Sequence, residues 1–544
     1  MDKDAKDKIN SKPEIKPKPP LKRINFDIEK YEKVEINFHP KIPPLQKVKD
    51  KTKVNVRYCV ISPFAYIHIY WDPEIYELVY EIEEPILTRQ EREYHAQLTT
   101  AIEDLINFEE IIERDEQRLL EYIDQRIRIL AVEFGMNIPY DSYRKLYYYL
   151  SRDFLGFNEM EPILRDYFIE DVECNGANSP VYVVHRVFRN LKTSLVFNDI
   201  ARLEVLVEKF AQRCGKHISY ADPILDGTLP DGSRINATYT QDITSKGPTF
   251  TIRKFTTTPW TPTELISFRT LSPEMLAYLW ILVEYKMNIL IAGGTASGKT
   301  SLLNAVAFFI PPEARVVSIE DTRELNLPRE NWLPSVTRAA TGDKRENEVT
   351  LFTLLRASFR QNPDYVIVGE VRGKEASVLF QGMASGHSSI STIHADSVDT
   401  LIKRLETPPI ELSPTLLNVL DCVCIMTHAI VNKQETRKLR EIVEIVNVDP
   451  EGIAVINTPF SWNAAEDRFY FKKESKVFEK ISKRYGISKE ELEKELNKKA
   501  KIIYQMYKKK ISSFDDVQGI VNRYYKTPDE VLKELGIDEE ENKE

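Results

Sequence analysis

The residues best suited to phosphate chemistry lie in one short glycine-rich segment. Residues 293–300 read Gly-Gly-Thr-Ala-Ser-Gly-Lys-Thr and match the phosphate-binding pattern G-x-x-x-x-G-K-[ST]. In this pattern backbone N–H groups surround the phosphate oxygens, Lys299 reaches the β and γ phosphates, and Thr300 offers a hydroxyl to Mg²⁺. The pattern therefore predicts a nucleotide site. Its binding residues are Gly293, Gly294, Thr295, Ala296, Ser297, Gly298, Lys299, Thr300 and Ser301.

The flanking sequence supplies the strand and the helix that such a loop requires. Residues 288–292, Asn-Ile-Leu-Ile-Ala, predict a buried strand before the loop. Residues 301–309 predict the helix after it. Strand-like runs alternate with helical segments from residue 265 to about 470, which is the pattern of a parallel sheet with crossover helices.

A phosphate-binding loop also needs carboxylates at neighbouring strand ends, where they organise Mg²⁺ and orient water. The run Val-Val-Ser-Ile ends in Glu320 and Asp321, and the run Tyr-Val-Ile-Val-Gly ends in Glu370. Gly369 occupies the position that an aspartate usually takes in the Walker B segment. A strand-end acid can instead cap the following helix. The residues alone do not separate the roles of Glu320 and Glu370.

A histidine follows a further strand-like run. Residues 388–393, Ser-Ser-Ile-Ser-Thr-Ile, are followed by His394 and preceded by His387. A single histidine in such a place is more often structural than functional. Because nucleotide-binding motifs end the three preceding strands, we expect His394 to lie near the γ-phosphate, where a neutral imidazole can sense that phosphate.

Composition and charge exclude several classes of protein. The 544 residues are 42% hydrophobic and 29% charged, which is typical of a soluble globular protein. With 75 basic and 84 acidic side chains the net charge is −9, which argues against broad electrostatic binding of nucleic acid. No apolar run reaches 18 residues and no secretory signal opens the chain. We therefore expect no membrane span and a location in the cytoplasm or on the cytoplasmic face of a membrane.

The five cysteines are scattered, which argues against a disulfide framework and against a four-cysteine zinc site. Cys422 and Cys424 lie in an apolar, strand-like run, so we expect buried thiols. This cysteine usage is typical of a reducing compartment.

Changes in composition divide the chain into six segments. The Lys/Pro-rich start predicts a mobile basic arm, which is either a solvated tail or a contact with anionic lipid or a partner protein. Residues 55–71 predict two strands broken at Ser62-Pro63, and residues 88–134 predict one or two amphipathic helices. The segments are a disordered basic arm (1–23), an N-terminal domain with a small sheet and amphipathic helices (24–139), a second α+β domain (140–255), a linker (256–264), an α/β domain with the nucleotide motifs (265–471) and a helical C-terminal extension (472–544).

Four motifs follow one another: the phosphate-binding loop (293–300), an acidic box (318–325), a Gly-Glu segment (369–370) and a histidine box (388–394). Their order resembles that of the type II/type IV secretion ATPase superfamily of RecA-like hexameric motors. Similar sequence extends from about residue 149 to 471. It includes Leu-Pro-Asp-Gly-Ser-Arg at 229–234, Phe-Thr-Ile-Arg-Lys-Phe at 250–255 and Gln-Asn-Pro-Asp-Tyr-Val-Ile-Val-Gly-Glu-Val-Arg-Gly at 361–373.

The resemblance implies an α/β fold in which smaller α+β N-terminal domains precede a RecA-like P-loop core. It also implies a homohexameric ATPase that uses ATP and Mg²⁺ on the cytoplasmic side of a membrane. Such an ATPase drives the assembly of pilin-like filaments through a polytopic membrane platform protein, and no nucleic-acid partner is expected.

The same resemblance implies roles for individual residues. Glu320 corresponds to the acid that polarises the attacking water, and Glu370 corresponds to the Walker B acid that acts on Mg²⁺ through water. Arg234 and Arg253 match arginines that reach the nucleotide from the N-terminal domain. Arg323 is a further phosphate contact in this interpretation, with a surface ion pair as its alternative.

Residues 405–414, Leu-Glu-Thr-Pro-Pro-Ile-Glu-Leu-Ser-Pro, resemble most the archaeal branch of the superfamily and, within it, the archaellum motor ATPases. An ATPase of an archaeal adhesive pilus or of type II-like secretion is the alternative. A nucleic-acid translocase and a nucleotide-switched scaffold are less favoured. The acidic net charge argues against the translocase, and the pair Glu320 and Glu370 argues against the scaffold.

Overall fold

The computed structural model describes residues 31–40, 42, 45, 50–105, 116–255, 258–327, 329–338, 348–431 and 434–537. The chain divides into two units, Met1–Lys254 and Phe255–Glu544. The predicted arm 1–23 lies outside the described residues.

The first unit is built on one mixed sheet. Its described strands are β1 (Asn55–Ile61), β2 (Ala65–Asp72), β3 (Glu77–Glu83), β4 (Ile169–Cys174), β5 (Pro180–His185), β6 (Arg189–Val196), β7 (Ile224–Thr228), β8 (Arg234–Thr238) and β9 (Thr249–Arg253). Its described helices are α1 (Arg89–Leu105), α2 (Glu116–Glu133), α3 (Tyr140–Leu155), α4 (Glu161–Arg165) and α5 (Ile200–Arg213). The strand order is β1-β2-β3-β6-β5-β4-β9-β8-β7. Neighbouring strands are antiparallel, except that β3 and β6 are parallel.

Local sequence signals place the first strands and helices of this unit. β1 and β2 flank Ser62-Pro63, because proline lacks the N–H that a strand ladder needs. Helices α1 and α2 bury apolar residues at helical spacing, such as Leu98 and Ile102 in α1 and Ile123 and Ile127 in α2. The predicted strand pair and amphipathic helices are confirmed.

The segments 24–139 and 140–255, expected to form separate domains, share this one sheet. β3 pairs with β6, for example through Tyr80 and Thr193. A single hydrophobic cluster contains buried residues of both segments. The predicted boundary between the two segments therefore does not divide the core. The sequence did not reveal this, because strands that pair across a long stretch of chain leave no local signal.

The second unit is a mostly parallel sheet whose strands are joined by helices. Its described strands are β10 (Ile289–Gly293), β11 (Val316–Glu320), β12 (Trp332–Val336), β13 (Tyr365–Val371), β14 (Ser388–Ile393), β15 (Cys422–Val431), β16 (Gln434–Val448), β17 (Ala454–Asn463) and β18 (Arg468–Phe471). Its described helices are α6 (Pro262–Ser267), α7 (Pro273–Glu284), α8 (Lys299–Ala307), α9 (Leu351–Ser358), α10 (Glu375–Ala384), α11 (Val398–Glu406), α12 (Lys476–Tyr485), α13 (Lys489–Lys508), α14 (Phe514–Lys526) and α15 (Pro528–Leu535).

The strand order of this sheet is β12-β11-β13-β14-β10-β15-β16-β17-β18. The first six strands in this order are parallel, and β16, β17 and β18 continue the sheet as antiparallel neighbours. The predicted fold class, an α/β core of RecA-like type preceded by an α+β region, is confirmed. β10 and β11 are buried along their whole length, which explains their continuous apolar runs. Because β14 lies between β10 and β13, the carboxyl ends of these three strands meet at one edge.

Helix α6 begins inside the stretch expected to be a linker. The hydroxyl of Thr261 accepts a hydrogen bond from the backbone N–H of Glu264, whose carboxylate accepts one from the backbone N–H of Thr261. Pro262 occupies the first helical position, where no N–H is needed. The linker predicted over 256–264 therefore ends in the first turn of a helix, which begins at Pro262.

The C-terminal extension is helical, as predicted, and packs onto the α/β core. One hydrophobic cluster joins Trp280 of α7 to residues of α12 to α15, including Tyr524. The buried Lys499 of α13 forms an ion pair with Glu284 at the end of α7. The extension therefore shares a core with the helix that precedes β10.

Cys422 and Cys424 are buried in β15, which confirms the prediction of buried thiols. Among the described helices, none combines the length and the apolar character needed to cross a membrane.

Candidate nucleotide-binding site

The phosphate-binding loop connects the end of β10 with the start of α8. Ala296 and Gly298 have positive φ angles of 55° and 93°, which turn the chain from strand to helix. A Cβ at Gly293 would lie 2.6 Å from the carbonyl oxygen of Met426 on the neighbouring strand β15, so only glycine fits there. The predicted binding residues 293–301 form this loop and the first turn of α8.

Lys299 is folded into the loop. The residue is 8% exposed, and its Nζ donates a hydrogen bond of 2.9 Å to the carbonyl oxygen of Gly294. Burial lowers the pKa of Lys299, while the charges of Glu370 and then Glu324 act in the opposite direction. The charged amine of Lys299 therefore lies within electrostatic range of the carboxylates of Glu370 and Glu324.

His394 lies between Lys299 and Glu370. Its Nδ1 is 3.4 Å from Nζ of Lys299, and its Nε2 is 3.0 Å from Oε1 of Glu370. The sheet order produces this position, because His394 directly follows β14, which lies between the strands that carry the loop and Glu370. Burial and the charge of Lys299 lower the pKa of His394, although Glu370 acts in the opposite direction. The neutral imidazole is therefore favoured, as the sequence suggested.

Arg372 extends this set of contacts to the acidic box. Its guanidinium lies 2.6 Å from Oε2 of Glu370 and 3.8 Å from Oδ2 of Asp321. Burial alone would raise the pKa of Glu370, but the hydrogen bond and charge of Arg372, followed by the charges of His394 and Lys299, lower it. Glu370 is therefore ionised at neutral pH. The sequence analysis does not single out Arg372, which follows directly after the end of β13.

Glu320 is almost fully buried, at 2% exposure. Its Oε1 accepts hydrogen bonds of 2.9 Å from the backbone N–H groups of Glu324 and Leu325, while Oε2 has no hydrogen-bond partner among the described residues. Burial raises the pKa of Glu320 to about 7, against the effect of these two hydrogen bonds. A Cβ at Gly369 would lie 3.0 Å from Cγ of Glu320. The glycine at the Walker B position therefore leaves room for this glutamate.

Glu324 is a second acid that the sequence did not single out. Its charge raises the pKa of Lys299 and of Arg372, which places it within electrostatic range of both cations. Its carbonyl oxygen accepts a hydrogen bond of 3.4 Å from Nδ2 of Asn304 on α8. The acidic box thus supplies two glutamates in different surroundings, four residues apart in the sequence.

Arg437 of β16 contacts the phosphate-binding loop from the opposite side of β15. Its Nε donates a hydrogen bond of 3.0 Å to the carbonyl oxygen of Ala296, the loop residue with positive φ. A Cβ at Gly298 would lie 3.3 Å from Cδ of Arg437. No local signal points to this contact, since Arg437 follows the loop by 141 residues.

Two other residues considered from the sequence pack against aromatic rings. Arg323 lies 5.5 Å from the ring centre of Phe255 and 5.3 Å from that of Trp332, a cation–π arrangement. His387 lies 4.8 Å from the ring of Phe359.

Arg234 and Arg253 lie together in the first unit. They are direct partners across the antiparallel strands β8 and β9. Both side chains are exposed, and a guanidinium nitrogen of Arg234 lies 3.2 Å from Oδ2 of Asp226. The structure therefore pairs these two arginines on one strand ladder.

The glycine-rich loop lies between a buried strand and a helix, and a lysine, a histidine and a glutamate are in contact at the adjoining strand ends. This arrangement defines a P-loop nucleotide-binding protein. Residues 160–485 match the family described as Type II/IV secretion system protein. The chain belongs to this family, and the resemblance found in the sequence is confirmed at that level.

Relatives of known sequence extend over different parts of the chain. An uncharacterized protein of Methanocaldococcus jannaschii is 36% identical in an alignment of 515 positions that covers 88% of this chain and 90% of that protein. The type IV secretion system protein PtlH of Bordetella pertussis is 34% identical in an alignment of 225 positions that covers 37% of this chain and 66% of that protein.

Two solved structures are also similar. The VirB11 ATPase of the Brucella suis type IV secretion system is 26% identical and covers 52% of this chain and 91% of its own, with a TM-score of 0.27. The pilus retraction motor PilT with bound ADP is 14% identical and covers 68% of this chain and 94% of its own, with a TM-score of 0.35.

Proposed function

We propose that this protein hydrolyses ATP to ADP and phosphate and uses that reaction for mechanical work. The observation that carries the proposal is the continuous set of contacts from Lys299 through His394 to Glu370 and Arg372. A loop that only bound nucleotide would not need the neutral imidazole of His394 and the ionised Glu370 next to its lysine. Membership of the Type II/IV secretion system protein family supports the same conclusion.

The residues of the loop fit a nucleotide with Mg²⁺. The backbone N–H groups of residues 293–298 and the amine of Lys299 bind the phosphates. Thr300 and the ionised Glu370 are oxygen donors of the kind that Mg²⁺ prefers, and they would hold it, Glu370 through water. Mg²⁺ would supply charge neutralisation on the phosphate oxygens.

Two glutamates are candidates for orienting the attacking water. Glu320 is proposed for this role, since its Oε2 has no hydrogen-bond partner among the described residues and its pKa of about 7 suits a general base. Glu324 is the alternative, supported by the effect of its charge on Lys299. We propose that Arg234 and Arg253 also take part in hydrolysis, the role that the sequence resemblance implies for them.

We propose further that the protein works as a homohexamer at the cytoplasmic face of a membrane, where a polytopic platform protein couples it to an archaellum filament. The sequence of residues 405–414 supports the archaellum assignment, and the extended similarity to an uncharacterized archaeal protein supports only the archaeal branch. An adhesive pilus or a type II-like secretion system is the alternative. To separate these pathways, the gene is deleted in its host and the deletion strain is complemented with Lys299→Met. Selective loss of archaella, of adhesive pili or of secreted proteins in that strain identifies the pathway that the protein serves.

Steady-state hydrolysis by the full-length chain tests the enzymatic proposal. We expect Mg²⁺-dependent release of phosphate that Lys299→Met reduces by at least ~10²-fold, because the lysine carries charge to the transferred phosphate. The rate is measured alone, with anionic vesicles and with single-stranded DNA. Stimulation by DNA alone would favour a translocase. No turnover under any of these conditions would favour a nucleotide-switched scaffold and contradict the proposal.

The arm 1–23 is proposed to contact anionic lipid, because its lysines and arginines outnumber its acids. Co-sedimentation with anionic vesicles should weaken when residues 1–23 are deleted, and the wild-type interaction should weaken with salt. Equal, salt-insensitive binding by both proteins would leave the arm as a solvated tail.

A further inference from the structure

A cluster of three ligand-type side chains lies in the first unit, on the strand pair β2 and β3. Nδ1 of His68 is 3.9 Å from Oε2 of Glu81 and 3.5 Å from Oε1 of Glu83. One ligand atom from each residue lies within 4.8 Å of the other two. His68 and Glu81 are direct partners across the antiparallel pair, and Glu83 follows two residues later on the same face.

Two of the three side chains, His68 and Glu83, are also held by a neighbour outside the cluster. Nε2 of His68 lies 2.8 Å from Oδ1 of Asn55, and Nε of Arg57 donates a hydrogen bond of 2.7 Å to Oε2 of Glu83. Outer partners of this kind orient the ligands in protein metal sites.

The orientation directs lone pairs toward a common point. When Nε2 of His68 donates to Asn55, the neutral imidazole carries its lone pair on Nδ1, which faces the two carboxylates. Arg57 offsets the charge of Glu83 from the far side only, because it contacts Oε2 and leaves Oε1 directed at His68. A cation between the three groups would relieve the remaining repulsion.

We propose that His68, Glu81 and Glu83 bind one divalent transition-metal ion, with Zn²⁺ as the expected ion. Zn²⁺ binds imidazole nitrogen and carboxylate oxygen at about 2.0–2.2 Å, which puts tetrahedral ligands about 3.3–3.6 Å apart. The separations of 3.5 and 3.9 Å from Nδ1 are close to this range. Mg²⁺ and Ca²⁺ are not expected, because they require mostly oxygen ligands in larger number. A bound ion would link β2 to β3, next to the edge strand β1 of the first sheet.

The rival arrangement has a protonated His68 between two carboxylates and no metal. The same full-length chain distinguishes the two. After dialysis against a chelator, and without nucleotide, the protein is titrated with ZnCl₂ by calorimetry and with CoCl₂ by visible absorption. We expect one ion per chain, cobalt bands typical of four-coordinate N/O ligation, and a thermal midpoint of the first unit that rises with Zn²⁺.

Variants assign the ion to this cluster. His68→Asn and Glu83→Gln should each weaken Zn²⁺ binding by at least ~10-fold, since loss of a ligand costs no less than loss of an outer partner. His428→Asn is the matched control, because His428 faces a single carboxylate, Glu435, at 3.7 Å. It should bind Zn²⁺ like the wild type. A circular-dichroism spectrum and a metal-free thermal midpoint equal to those of the wild type verify that each variant folds. Failure of the wild type to saturate, or equal affinity in His68→Asn and the wild type, would overturn the proposal.

Discussion

Nε2 of His394 lies 3.0 Å from Oε1 of Glu370, and the other nitrogen of the same ring faces the amine of Lys299. The imidazole thus connects the phosphate-binding loop to the carboxylate at the end of β13. When a phosphate binds to or leaves Lys299, the contact of Lys299 with His394 changes, and His394 in turn contacts Glu370. His394 can therefore act as the proposed phosphate sensor.

Replacing His394 with Asn should lower hydrolysis by ~10²-fold, because one polar donor near the developing charge is lost or displaced. ADP affinity should change little, whereas the preference for ATP over ADP should shrink. Fluorescent nucleotide titrations and steady-state rates measure both quantities. His387→Asn is the control, since that ring packs on Phe359 and should leave both unchanged. An unaltered ATP preference in His394→Asn would remove the sensor role.

The two glutamates of the acidic box can be separated by pH. If Glu320 is the base, the wild-type rate should fall as pH drops below about 7, where its carboxylate becomes protonated. Glu320→Gln should bind ATP and turn over at least ~10²-fold more slowly, and Glu324→Gln should keep the inflection near pH 7. A rate that is flat between pH 6 and 8, or an inflection lost only in Glu324→Gln, would transfer the role to Glu324.

Glu320 should also make stability depend on pH. Its pKa in the folded protein, about 7, lies above the usual 4.5, so its contribution to stability is present below pH 4.5 and is lost as pH rises through 7. Glu320→Gln does not titrate. The free energy of unfolding of the variant relative to the wild type should therefore rise by on the order of 2 kcal/mol between pH 5 and pH 8. Thermal melts of both proteins at the two pH values measure this difference. The same pH dependence in the variant and the wild type would contradict the raised pKa of Glu320.

The parts of this site that the sequence predicted are those encoded locally. The loop 293–300, the strand ends at Glu320 and Glu370, and His394 after β14 each carry a spacing or an apolar run of their own. Arg437 has no such signal, because only the pairing of β16 with β15 brings it to the loop.

The fold shows the same division between local and distant signals. The strand pair around Ser62-Pro63 and the amphipathic helices were predictable from alternation and helical spacing. The pairing of β3 with β6, which unites the segments 24–139 and 140–255, depends on contacts across the chain. Pro262 is a local signal with two meanings, because proline is common in linkers and is also favourable at the first helical position, where α6 begins.

Arg437 should act on nucleotide binding rather than on the chemical step. Arg437→Met removes the hydrogen bond to Ala296 and should weaken ATP and ADP binding by roughly 10-fold, as expected for one charged hydrogen bond of about 1.5 kcal/mol. The rate at saturating ATP should stay near that of the wild type. Arg468→Met, on the exposed edge strand β18, is the control. A lower saturated rate with unchanged affinity would mean that Arg437 acts on catalysis instead.

Arg234 and Arg253 are expected to act as a pair, because they face each other directly across β8 and β9. An arginine near the γ-phosphate binds ATP better than ADP, and this difference in affinity can drive a conformational change on hydrolysis. Arg234→Ala and Arg253→Ala should each lower hydrolysis by at least ~10²-fold while nucleotide binding is retained. Arg189→Ala, on β6 of the same unit, serves as the control for lost surface charge.

If the protein is a ring of coupled subunits, mixing either variant with the wild type should lower activity more than dilution does. Activity strictly proportional to the wild-type fraction would mean that the subunits work independently, and it would contradict the ring motor.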